Sequence, residues 1–345
     1  MSILDVKRTK EEFLKKKGKS SEYTLRSYGL IFKSFEKFCN RKYNSSLENI
    51  IEELAIIEDP QEQIENLLQS YIDELELQNK PQCTVINYSC MAKNYLKYRR
   101  VRFDKSELET NLSYKADIKE ELYPISKEEI QTLMDNSSFE WKTKILLMSS
   151  GGFRISELLG IRKSDINREL ERYSVYIRAE NAKGHQARTT LISTEAMSYL
   201  DKLLENKTEN DFVFPHNKNR HHALSTNIKT FRSITEKSGL DMRYEGKITH
   251  KITTHSFRAF FISQFEKTYS GFGHSLSGHG RYLKQYERFT IGEKIEKYIE
   301  TEKHFLIYSK SEQDSKTNRE FAELKAKVSR LEQLLTEKKI NLTDL

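Results

Sequence analysis

Apolar residues fall at helical spacing along much of the chain, and one stretch alternates. Tyr28, Ile31, Phe32, Phe35 and Phe38 mark one stripe, and Ile64, Leu67, Leu68, Tyr71, Ile72 and Leu75 a second. Val85, Tyr88, Met91, Ala92, Tyr95 and Leu96 mark a third, and further helical stretches lie at 130–134, 141–149, 195–204, 222–237 and 257–265. Residues 173–192 alternate instead, with Tyr173, Val175 and Ile177 on one face and Ala179 to Arg188 as a turn tipped by Lys183-Gly184. Four Pro and 13 Gly in 345 residues leave long helices few interruptions, and 18 Phe with 18 Tyr supply enough large side chains for real cores. The pattern predicts a mainly α chain with a small β-hairpin.

Charge divides the first third. Residues 1–42 are basic, residues 48–78 carry many Glu and Asp and no Lys or Arg, and basic character returns at 80–105. A single charged residue on a helix reads as a solvated face, but signs sorted by segment, with a net charge of +7, fit a polyanionic partner. Lys15, Lys16, Lys17, Arg26, Lys93, Lys97, Arg99 and Arg100 are the candidates for that surface. Residues 111–124 read as a polar linker between a helical domain, 1–110, and a second domain, 125–310, that opens on the Ser126-x-x-Glu129 capping box.

Cys39, Cys83 and Cys90 form no CxxC pair, and the seven-residue spacing of the last two in a helical pattern predicts core positions. No partner at ligand spacing joins His216, His221 and His222, so neither metal nor other cofactor is expected. Without a signal-like N-terminus or a long apolar run, a cytoplasmic protein is expected.

Chemistry-bearing residues gather late in the chain. Arg154 follows Gly151-Gly152-Phe153 at a helix start, with Glu157 three residues on. Such an arginine in an apolar stretch is either a structural pair with Glu157 or a phosphate-binding group held by it. His255 and Arg258 are three apart, so one helix face presents both, with Phe257, Phe260, Phe261 and Phe265 on the buried side. His279 follows Gly278, with Tyr282 and Tyr286 three and seven residues later.

This order, Arg154, Lys183, His255-x-x-Arg258, His279, Tyr286, resembles the tyrosine recombinase (phage-type integrase) family, over about residues 125–290. The resemblance implies a two-domain clamp with an N-terminal helical core-binding domain and an α+β catalytic domain. It also implies a site-specific recombinase that cuts double-stranded DNA at attachment sites through a 3′-phosphotyrosyl link, without ATP or metal, as a homo-tetramer on two synapsed duplexes. Without DNA a monomer or weak dimer is expected. Many members place the nucleophile nine residues after the last histidine, where this chain has Arg288. The string Gly278 to Arg288 is similar to the archaeal integrase variant, which favours Tyr286, with Tyr282 second and His274 as competitor for His279. A chromosome-dimer-resolving recombinase, a non-cutting relative and a strand-relaxing topoisomerase remain as alternatives.

The residue types suit the chemistry the resemblance implies. Two guanidinium groups, Arg154 and Arg258, clamp the non-bridging oxygens of a phosphodiester that gains charge in the transition state. Tyr286 attacks, His255 serves as base or relay, Lys183 supplies a proton to the leaving 5′-oxygen, His279 adds a phosphate hydrogen bond and Glu157 orients Arg154 or the histidines. Phe321, Leu324, Val328, Leu331 and Leu335 form a short heptad seam in the tail, 311–345. This seam suits a coil, a helix docked on another subunit, or one folded back on its own domain.

Overall fold

The computed structural model describes residues 8–19, 22–116, 120–215, 219–279, 289–308, 323–331 and 333. The chain divides into two compact units, Met1–Glu120 and Glu121–Leu345.

The first unit is helical: α1 (Lys10–Gly18), α2 (Glu22–Tyr43), α3 (Leu47–Ile56), α4 (Gln61–Leu77), α5 (Gln82–Tyr98) and α6 (Lys105–Asn111). Aromatic rings fill its core, with Phe32 edge-on to Tyr95 at 4.6 Å and Phe35 against Tyr71 at 4.7 Å. The buried hydroxyls keep partners, Tyr71 to Ser34 Oγ at 3.0 Å and Tyr95 to Glu48 at 2.8 Å. Three details add to or correct the sequence reading. The acidic stretch is two helices, because Asp59-Pro60 interrupts it. Residues 105–111 form α6, which Asp104 caps through the N–H groups of Ser106 and Glu107. Its Leu108 and the following Leu112 enter the core, and Lys115 N–H donates to Glu76, so the chain stays tied to this unit past residue 110. Cys83 and Cys90 are exposed and only Cys39 is buried. Seven-residue spacing put both on one face of α5, but the outer one.

The second unit follows with α7 (Lys127–Asp135), α8 (Phe139–Gly151), α9 (Ile155–Leu158), a 3₁₀ turn (Lys163–Asp165), β1 (Ile166–Asn167), β2 (Ser174–Ile177) and β3 (Arg188–Leu191). Then come α10 (Thr194–Leu204), α11 (Arg220–Lys237), α12 (Thr254–Glu266), α13 (Phe272–Ser277) and α14 (Ile291–Glu302). The strands make one antiparallel sheet, ordered β1-β2-β3, with Val175 opposite Thr190 and Ile177 opposite Arg188. Arg188 therefore belongs to a strand rather than to the turn, which spans the residues just before it. A buried α8 is the hub, packed on α7, α9, α10, α12 and β3. Phe257, Phe260, Phe261 and Phe265 of α12 are buried, each worth about 1.5–3 kcal/mol over exposure. After α14, Glu195 accepts the N–H groups of Ile307 (2.8 Å) and Tyr308 (2.5 Å) and fixes the chain to α10. Residues 323–331 form a helix with every side chain exposed, including Leu324, Val328 and Leu331, while Phe321 and Leu335 lie outside the described residues. Among the described residues, no helix is long and apolar enough to cross a membrane.

Gly152 ends α8 in the left-handed conformation, at φ +64°, and an added Cβ would lie 2.6 Å from the Phe261 ring. Gly152→Ala is thus expected to lower stability by about 1–3 kcal/mol through backbone strain alone. A thermal melt of the variant checks this, and an unchanged midpoint would show that the turn relaxes freely.

Candidate active site

Four elements meet at one place in the second unit. The turn at Gly152 reverses the chain after α8 and puts Arg154 at the N-cap of α9. Its N–H and its Nη1 both donate to Glu157, at 2.8 Å each. Glu157 is completely buried, and Arg188 at the start of β3 pairs with it through Nη1 (2.9 Å) and Nη2 (2.7 Å). Arg188 Nε donates to the carbonyl of Leu276 in α13, at 3.0 Å. Gly278 closes α13 at φ +83°, where a Cβ would lie 2.7 Å from Arg188 Cδ, so only glycine lets the chain pass this arginine on the way to His279.

Arg258 departs from the helix-face expectation. Its side chain is fully buried rather than presented outward, because its Nη1 turns inward to the Gly152 carbonyl at 2.5 Å. Among the described residues Nε and Nη2 have no hydrogen-bond partner. Burial, then the charges of Arg154 and Arg188, push it down to about 9 against the pull of Glu157, so it stays charged at neutral pH. Arg154 and Arg188 pair with Glu157 and the buried Arg258 only feels its charge, which leaves positive charge in excess at a largely buried position. Such a balance costs several kcal/mol unless an anion completes it.

The histidines are held neutral beside this cluster. His255 is an exposed residue, yet partial loss of water and then Arg258, Arg154 and Lys183 keep its pKa below the ordinary value. Desolvation, Arg258, His274, Arg154 and His255 push His279 down to about 4. His274 and His279 lie together, with Nδ1 atoms 2.5 Å apart and His274 Nε2 4.0 Å from Glu266. Lys183 sits exposed on the β2–β3 loop, and its charge reaches His255. Hydrogen bonds or charge thus link Arg154, Glu157, Lys183, His255, Arg258 and His279 to one another, while Tyr282, Tyr286 and Arg288 lie outside the described residues. The intervening segment, 280–288, joins His279 to α14, whose Tyr298 donates to Ser150 O at 2.6 Å, near the end of α8. Among the described residues no three His, Cys, Asp or Glu side chains gather as a metal site.

Arg188 escaped the sequence reading. Its signal is a charged residue at an inward strand position, opposite Ile177, where alternation calls for an apolar side chain.

In the first unit Lys15, Lys16, Arg26, Lys97 and Arg100 are exposed, and Lys93 is half-buried. Lys17 lies over the rings of Phe13 and Tyr28, and Arg99 pairs with Glu48 while lying over Tyr95.

Glu157 gives a pH signature. Burial would raise its pKa, but the hydrogen bonds and charge of Arg188, with the N–H and charge of Arg154, win and hold it below the ordinary value. A depressed carboxylate contributes stability that is present above the unfolded value, about 4.3, and is lost as pH falls through the folded one. Glu157→Gln, which leaves Arg188 without its charge partner, is expected to cost about 3–5 kcal/mol at pH 7. Its deficit in melting temperature should shrink toward pH 3, and a deficit constant with pH would contradict the ionised pair.

Residues 124–268 match the family model described as the phage integrase family. No curated protein sequence matches the chain. Among solved structures, lambda integrase (residues 75–356) bound to DNA is similar, with TM-score 0.54, 14% identity, and coverage of 81% of this chain and 96% of that one. XerH site-specific recombinase bound to palindromic difH substrate, in a post-cleavage complex, gives TM-score 0.54 and 19% identity, covering 80% of this chain and 78% of that one. At these identities the two structures speak for the fold, a mainly helical chain with a small sheet like that of tyrosine recombinases. The family match over residues 124–268 and the fold agree, and both point to the tyrosine recombinases.

Proposed function

We propose that the chain is a site-specific DNA recombinase, the integrase of a mobile element, that breaks and rejoins DNA through a 3′-phosphotyrosyl intermediate. The observation that carries this reading is the buried Arg258, charged and with Nε and Nη2 unpartnered, beside Arg154 and two neutral histidines. A phosphodiester in in-line attack offers non-bridging oxygens that gain charge at this point. Fixed donors in a water-poor site stabilise that charge without reorganising. In the step proposed, Tyr286 Oη bonds to phosphorus as the P–O5′ bond breaks. The phenolic proton passes to neutral His255, and the Lys183 ammonium gives a proton to the departing 5′-oxygen. His279 donates to a phosphate oxygen. Religation runs the same steps backward with a new 5′-hydroxyl, so one ester is exchanged for another and no ATP is consumed.

DNA is the partner that the two structures matched above hold, and the exposed basic residues of the first unit fit its backbone. The 1–110 region is proposed as the core-binding part, and the exposed helix at 323–331 as a contact between subunits of a tetramer on synapsed duplexes.

The test is recombination between plasmids carrying candidate attachment sites, in EDTA and without ATP. Recombinant product is expected. Relaxed plasmid without recombinants would favour a strand-relaxing enzyme, and a Mg²⁺-dependent cut with free ends would favour a nuclease.

A further inference from the structure

Glu157 accepts four hydrogen bonds, two from Arg154 and two from Arg188. An arginine and a carboxylate left to themselves pair fork to fork, through two nitrogens and two oxygens. Arg188 holds that place. Its Nη1 and Nη2 take both oxygens of Glu157, and its Nε is fixed on the Leu276 carbonyl. Arg154 is left to reach the carboxylate with Nη1 alone among its side-chain donors. Arg188 is itself buried, so it acts through its neighbours.

We propose that Arg188 is a positioning residue. By occupying both oxygens of Glu157 it keeps the Arg154 guanidinium from folding onto that carboxylate and leaves it turned toward the scissile phosphate. The same contact ties β3, and so the loop that carries Lys183, to α9 and to the end of α13 next to His279. The proposal rests on the recombinase reading of this site.

The variant to use is Arg188→Lys, which keeps the buried charge beside Glu157 but cannot hold both oxygens in a planar fork. Single-turnover formation of the covalent adduct is measured at saturating protein and below the melting temperature of every variant, so that loss of fold or of DNA binding does not enter. Arg188→Lys is expected to slow the step by about 10²-fold, the scale of an ångström misplacement of a reacting group. Adding Glu157→Gln removes the carboxylate that captures Arg154 and is expected to restore most of that loss. A double variant no faster than Arg188→Lys would overturn the proposal, as would Arg188→Lys at the wild-type rate. A crystal structure of Arg188→Lys without DNA supplies an arm independent of cleavage. Arg154 paired with Glu157 through two nitrogens supports the proposal, and Arg154 unmoved overturns it. A wild-type protein that forms no adduct at all would reject the recombinase reading, while the crystal structure still answers for Arg188.

Discussion

Arg258→Met is expected to melt at or above the wild-type temperature while cleaving DNA about 10²–10³-fold more slowly. The two halves of this result have one cause. Arg258 is fully buried with two of its nitrogen groups unpartnered, next to Arg154 and Arg188 of the same sign. A buried charge in that condition weakens the fold, and an apolar side chain of similar length relieves it. The same unpartnered donors are what a phosphate oxygen would use. Losing one such donor in a transition state costs about 2.7–4 kcal/mol. A structural arginine would behave oppositely, because removing it would lower the melting temperature and leave the cut near the wild-type rate. Thermal melts and single-turnover adduct formation, read on one preparation, separate the two.

Tyr286→Phe is expected to bind DNA as the wild type does and to form no covalent adduct. The phenyl ring keeps the size of the side chain and removes only the attacking oxygen, so no alternative nucleophile takes its place in line with the phosphate. The expectation comes from its spacing after Gly278-His279, and the structure adds that His279 stands beside Arg258 and His255. Tyr282→Phe should cleave normally. If the outcomes are exchanged, Tyr282 is the nucleophile and the seven-residue spacing was misread.

What the sequence disclosed follows from how local each signal is. Helical periodicity in 64–75 and 85–96 needs only neighbours along the chain, and the helices stand there. The His255-x-x-Arg258 face follows from the helix repeat, yet the depth of Arg258 does not, because it depends on the Gly152 carbonyl, 106 positions away. Arg188 was hidden for the same reason, since its partners Glu157 and Leu276 lie in other elements. The exposure of Cys83 and Cys90 turned on which face of α5 meets the core. Among the helices passed over, α1 and α6 had their caps in plain view. Thr9-x-x-Glu12 closes a capping box on α1, and Asp104 caps α6, but both helices are too short to show a period.

The central claim is that the guanidinium cluster of the second unit serves a tyrosine that becomes bonded to DNA. Its most direct test is to trap protein on a nicked duplex bearing a candidate attachment site, in EDTA, and to sequence the nucleotide-linked peptide after proteolysis. The account predicts a 3′-phosphotyrosyl bond at Tyr286. A cut that leaves free 3′ and 5′ ends with no linked peptide would contradict it.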